Sequence, residues 1–80
     1  MKHNKNEYTL DMISPGESVT VTGTFAESSI RRRLRDVGFC DGENIQCIMR
    51  SPLGDPSAYL VRGTVIALRK EDSGLITVSR

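Results

Sequence analysis

Only one stretch of this chain carries apolar residues at helical spacing for long enough to make a helix, and it is short. Ile30, Leu34 and Val37 fall at i, i+4 and i+7, so one face of a helix would hold all three. Ser28 or Ser29 can accept a hydrogen bond from the first free backbone N–H groups. Gly38 stands where a residue with φ > 0 ends a helix at little cost. Arg31, Arg32 and Arg35 point away from the apolar stripe, while Arg33 sits at its border with a stem able to lie on the core. Phe39 can fold back over the stripe, and Asp41-Gly42 makes the next turn. A helix this short holds only if its apolar face is packed, so the rest of the chain must supply the surface beneath it.

That surface is read from short segments of period two. In Ser18–Thr22 the valines Val19 and Val21 face inward and the threonines outward, after a Pro15-Gly16 pair that fits the centre of a type II turn. Leu10 and Ile13 can both reach the core from a single helical turn that leaves Asp11 exposed, and Phe25 is expected to cover one end of the core. Residues 43–50 place Ile45, Cys47 and Met49 on one face, with Asn44, Gln46 and Arg50 on the other; Ile48 breaks the alternation. Two prolines and Gly54 make residues 51–56 a loop with Leu53 as its single apolar residue. Ala58–Val61 and residues 65–69 read as a hairpin around Gly63-Thr64, with Ile66 and Leu68 on one face. Residues 70–74 allow one helical turn, and residues 75–78 a last strand.

About five short strands with turns at each break, one helix between the first two and a helical turn before the last, predict a mainly β, small, partly open barrel. Residues 1–7, rich in lysine and asparagine, read as a flexible tail before a single domain over 8–80.

Composition narrows the function. The 80 residues carry 11 basic and 10 acidic side chains, a net charge of +1, which lacks the basic excess of a nucleic-acid binder. Tyr8, Phe25, Phe39 and Tyr59 are too scattered to form a stacking platform for single strands. No apolar run approaches a membrane span, and Met1–Tyr8 has no apolar signal-peptide region, so a cytoplasmic chain is expected. Cys40 and Cys47 match no zinc or redox spacing and are expected to stay reduced. A metal site would need these two and His3, from the tail, to converge; none is expected.

Catalysis is not expected either. No glycine-rich phosphate loop precedes a helix, and the one histidine, His3, would have to serve any serine or cysteine nucleophile from the tail. Asp36, Asp41 and Glu43 read as solvated surface. The strongest local charge is the run of arginines from 31 to 35. Its plain reading is a solvated helix face in which Asp36 relieves Arg32 at i,i+4; its functional reading is a docking face for an acidic surface or a phosphate. Leu53 carries the same pair of readings, folded back on the domain or exposed as a contact.

The order of these motifs resembles the FeoA family. The resemblance rests on Arg31-Arg32-Arg33-Leu34-Arg35-Asp36-Val37-Gly38 followed by Gly42, on Gly54-Asp55-Pro56, and on Gly63 followed by Ile66-Ala67-Leu68-Arg69. It extends to the opening Leu10, Pro15-Gly16-Glu17 and the closing Ile76-Thr77-Val78, nearly the whole chain. It implies a small cytoplasmic SH3-like barrel that acts as an accessory of bacterial ferrous iron uptake. Its partner would be the FeoB permease, with a GTP-binding domain, met on its cytosolic side. It brings no metal site or cofactor, and the charge balance and hydropathy above leave neither nucleic-acid binding nor membrane insertion expected. The alternative implied by the same module is a free-standing relative of the C-terminal domain of DtxR-type metal-dependent repressors. Arg31, Arg32, Arg35 and Leu53 are the candidate partner-binding residues.

Overall fold

The computed structural model describes residues 7–80. Six strands form one sheet, β1 (Glu7–Thr9), β2 (Ser18–Thr24), β3 (Asn44–Arg50), β4 (Ser57–Val61), β5 (Thr64–Leu68) and β6 (Ile76–Ser79). Their spatial order is β1-β6-β2-β3-β4-β5, and every neighbouring pair is antiparallel. Helix α1 (Ser28–Asp36) lies between β2 and β3, and the single turn α2 (Lys70–Ser73) precedes β6. The mainly β barrel expected from the sequence is therefore found, with β1 as a strand the sequence pattern did not reveal. The part of the expected tail before residue 7 lies outside the described residues, and so does His3.

Alternation builds the core. Val19 and Val21 of β2, Ile45 and Cys47 of β3, Tyr59 and Val61 of β4, and Ile76 and Val78 of β6 are all buried on one face of the sheet. The sheet is rolled around that face, because bonds cross it from one end to the other. The Tyr59 hydroxyl on β4 bonds to Ser73 of α2, and the Arg50 guanidinium at the end of β3 donates to the Asp11 and Ile13 carbonyls just beyond β1. Leu10 and Ile13 are buried from a 3-10 turn over Leu10–Met12, as their spacing predicts. Asp11 is half-buried rather than exposed.

Helix α1 stops as its sequence dictates. The Gly38 amide donates to the Arg35 carbonyl (3.0 Å) and the Phe39 amide to the Leu34 carbonyl (2.9 Å), with Gly38 at φ +117°. This paired closure brings Phe39 back onto Leu34, and both side chains are buried. It also displaces Val37, which the periodicity assigned to the core. Val37 caps the helix and is 43% exposed, because Phe39 fills the space it would have taken. Ile30 is half-buried against the core. At the other end the capping residue is Glu27, not Ser28 or Ser29, and no side chain closes the first turn. Phe25 is half exposed, and Ala26 is the buried residue at this corner.

Two irregularities change which residues face inward. Between Cys47 and Met49 the β3–β4 register shifts, so Ile48 and Met49 together oppose Ala58, and Arg50 pairs with the buried Ser57. This bulge returns Arg50 to the inner side and leaves Met49 54% exposed, the reverse of a strict alternation. In the β4–β5 hairpin Val61 pairs with Thr64, so the turn residues are Arg62 and Gly63, at φ +52° and +79°. The turn lies one residue earlier than Gly63-Thr64, and a Glu43 carboxylate 2.9 Å from Arg62 Nε holds the arginine there.

The Pro15-Gly16 turn closes as expected, the Glu17 amide donating to the Ser14 carbonyl at 3.0 Å. Glu17 answers it: its carboxylate accepts the Ser14 amide and an Arg80 guanidinium N–H. The Ser14 bond first, then Arg80, hold its carboxyl below the ordinary 4.5. A carboxyl depressed by folding adds stability above its unfolded value and loses it as pH falls through the folded one. Thermal melts from pH 7 to pH 3 are therefore expected to show a steeper acid loss in the parent than in Glu17→Gln, with the two curves converging below pH 4.5. Parallel curves would remove Glu17 from this role.

Candidate interaction surface

The outer face of α1 carries four arginines against one aspartate. Arg31, Arg32 and Arg35 line an open hollow together with Ser28, Asp36 and Cys40. Arg31, Arg35 and Cys40 continue into an adjoining hollow with Gly23, Thr24 and Asp41. The structure thus brings three of the four candidate residues to one concave surface. Helical spacing places them there: Leu34 and Ile30 take the buried face, and the residues between them must look outward.

These guanidinium groups are poorly neutralised. Arg31 Nη2 donates to the Ala26 carbonyl at 3.3 Å. Arg33, the border residue, is 4.0 Å from an Asp72 carboxylate oxygen. Arg32 and Arg35 have no side-chain partner among the described residues, and Asp36, expected to relieve Arg32, forms no ion pair there. Like charges at this spacing repel by a few tenths of a kcal/mol per pair, a cost that an acidic surface would reverse.

Leu53 lies elsewhere. Its loop is closed at the base by the Ser51 amide on the Pro56 carbonyl (3.2 Å) and turned by the Gly54 amide on the Ser51 carbonyl (2.8 Å). The leucine at its tip is 95% exposed, so the folded-back reading is excluded. It lines neither hollow, since the loop leaves the far end of β3, a strand of seven residues or roughly 20 Å.

The cysteines occupy different environments. Cys40 is half-buried with its thiol 3.4 Å from the Arg35 carbonyl, whereas Cys47 sits in the core, where burial pushes its thiol up. Among the described residues no three His, Cys, Asp or Glu side chains converge as a metal set. No described helix is long and apolar enough to cross a membrane.

Sequence reasoning missed one surface feature. Met49 and Val65 are largely exposed on the outer side of β3 and β5, with Ala58, Leu60 and Ala67 between them in register. The broken alternation at Ile48 was its one visible sign.

Comparison with known proteins agrees with this architecture. Residues 8–80 match the FeoA domain. A FeoA-like protein of Clostridium acetobutylicum superposes with TM-score 0.85 at 32% identity, covering 92% of this chain and 86% of that one. The FeoA protein of Stenotrophomonas maltophilia, solved with zinc and described as a prokaryotic SH3 domain protein, gives TM-score 0.78 at 30% identity, over 90% and 89%. A fusion of Fe(2+) transport protein A with the Fe(2+) transporter FeoB from Porphyromonas gingivalis is 28% identical over 69 residues. Those residues are 86% of this chain but only 8% of the fusion protein. A manganese-dependent transcriptional repressor, at 15% identity and TM-score 0.81, shares the fold alone. With its domain matched from Tyr8 to the last residue, the chain belongs to the FeoA family.

Proposed function

We propose that this chain is an accessory of ferrous iron uptake that docks, without catalysing a reaction, on the cytosolic side of a FeoB-like permease. The observation that carries the reading is the fused relative, in which a similar domain and the transporter share one polypeptide. Covalent linkage raises the effective concentration of two modules that work together. The partner face is the arginine hollow of α1, with an acidic patch, for instance on a GTP-binding domain of the permease, as its complement. Arginine is suited to this because its fork can make paired bonds to a carboxylate. Leu53 acts as a separate apolar contact at the far end of β3, not as the centre of the same patch.

The test is capture of a FeoB-like permease from detergent-solubilised bacterial membranes. Arg31→Glu combined with Arg35→Glu is expected to lower capture at least tenfold while the melting temperature stays within a few degrees of the parent. Leu53→Ser is expected to give a smaller loss. Full retention by the double variant would remove the helix face from the interface. Capture of a metal-responsive repressor in place of the permease would favour the alternative role.

A further inference from the structure

The two edges of the rolled sheet are not alike. β1 is three residues long and runs directly into the 3-10 turn. β5 is five residues long, reads Thr-Val-Ile-Ala-Leu, and contains no charge, proline or bulge. Edge strands of this kind are normally blunted, because their free N–H and C=O groups invite another strand.

Register shows which groups are free. In a two-residue hairpin the closing pair, here Val61 and Thr64, exchanges both backbone bonds. Thr64, Ile66 and Leu68 therefore bond to β4, and the backbone groups of Val65 and Ala67 point away from the sheet. Neither has a hydrogen-bond partner among the described residues. Their side chains lie on the outer face, where Val65 is 58% exposed and the apolar rows Leu60–Val65 and Met49–Ala58–Ala67 run inward from the edge.

Charge selects the occupant. Just past the strand, Arg69 and Lys70 are exposed, and their side chains have no partner among the described residues. A second copy pairing antiparallel about Ile66 would satisfy Val65 and Ala67, but it would set Lys70 of one copy opposite Arg62 of the other at both ends. Like charges across strands are destabilising. An extended segment with acidic residues beside Arg69 and Lys70 meets no such penalty and gains two attractions.

We propose that β5 is a strand-addition site that takes an extended partner segment, apolar on alternate positions and acidic at the end beside Arg69 and Lys70. This surface is independent of the arginine hollow, and the inference does not rest on the identity of the permease. Main-chain bonds from Val65 and Ala67 give the contact its affinity, and the outer apolar rows with the basic end give it specificity.

The probe is a synthetic peptide, acetyl-Glu-Glu-Thr-Val-Thr-Val-Thr-amide, whose antiparallel docking brings its glutamates to Arg69 and Lys70. Its control carries two lysines for the two glutamates. Titration into isotope-labelled protein should shift the Val65 and Ala67 amides most, with binding at least tenfold tighter for the acidic peptide. Ala67→Pro, which removes an outward N–H and no ladder bond, should abolish those shifts. Arg69→Glu with Lys70→Glu, which leaves the edge intact, should reverse the preference toward the lysine peptide. Equal binding of the two peptides, an unchanged preference in the charge-reversed variant, or shifts confined to other strands would each overturn the proposal. Sedimentation showing a dimer of the free chain that Ala67→Pro dissociates would overturn it in favour of a second copy.

Discussion

Gly38→Val is expected to cost about 2–6 kcal/mol and to leave little folded protein at 37 °C. Two separate terms add. A β-branched residue held at φ +117° is strained by about 1–3 kcal/mol. A Cβ at this position would also stand 2.6 Å from Val61 Cγ1, and Val61 is buried, with no solvent to move into. Overpacking of that kind costs about 1–3 kcal/mol more. A domain of this size has only about 4–12 kcal/mol in total, so the sum is a large share of its stability. Gly42→Ala separates the terms, since Gly42 sits at φ +89° with nothing within 4 Å of a new Cβ. It should cost about 1 kcal/mol, the backbone term alone. In urea unfolding, Gly38→Ala should fall between the two, and Val61→Ala added to it should recover part of the loss. A Gly38→Val midpoint equal to the parent's would mean that α1 does not close against β4 as described.

That helix stop was the most legible part of the fold, because glycine, a following aromatic and the last apolar residue of the stripe all specify one motif. The start of α1 was less so. The chain enters it extended at Glu27, and the Thr24 hydroxyl has already taken the Ala26 amide, so the serines are left inside the helix. β1 was hidden because three residues are too few for alternation to register. The hairpin slipped by one position because glycine is favoured at positive φ and arginine is not. Only the Glu43 contact, distant in sequence, shows why Arg62 is held at φ +52°. The arginine face could be read directly, since period 3.6 excludes Arg31, Arg32 and Arg35 from the core. The open edge could not: Val65 and Ala67 look like ordinary strand residues until the sheet order shows that no strand among the described residues lies beyond them.

Arg50 was assigned to the wrong side for a definable reason, and that makes it the second sensitive position. Period two carried through Ile48 puts Arg50 in solvent with Asn44 and Gln46, but the bulge spends one residue and turns it inward. Two adjacent apolar residues, Ile48 and Met49, before a charge are the local trace of that bulge. Once inside, Nη2 donates to the Asp11 carbonyl at 2.8 Å and to the Ile13 carbonyl, tying the segment after β1 to the end of β3. Bonds from a charged donor are worth about 1.5–3 kcal/mol each, and carbonyls left unpaired in a part-buried site add to the loss. Arg50→Met keeps the length of the stem and removes the donors, so it is expected to cost at least about 3 kcal/mol. Arg50→Lys should cost less, because an ammonium can replace one of the two bonds. Arg32→Met, on the open face of α1, should change stability by less than about 0.5 kcal/mol. Urea unfolding ranks the three variants, and amide exchange locates the effect. Residues 10–16 should lose protection in Arg50→Met while β2 and β6 keep theirs. If Arg50→Met unfolds at the parent's midpoint, water replaces the guanidinium at both carbonyls without cost. The rolled sheet would then be closed by Leu10 and Ile13 packing alone.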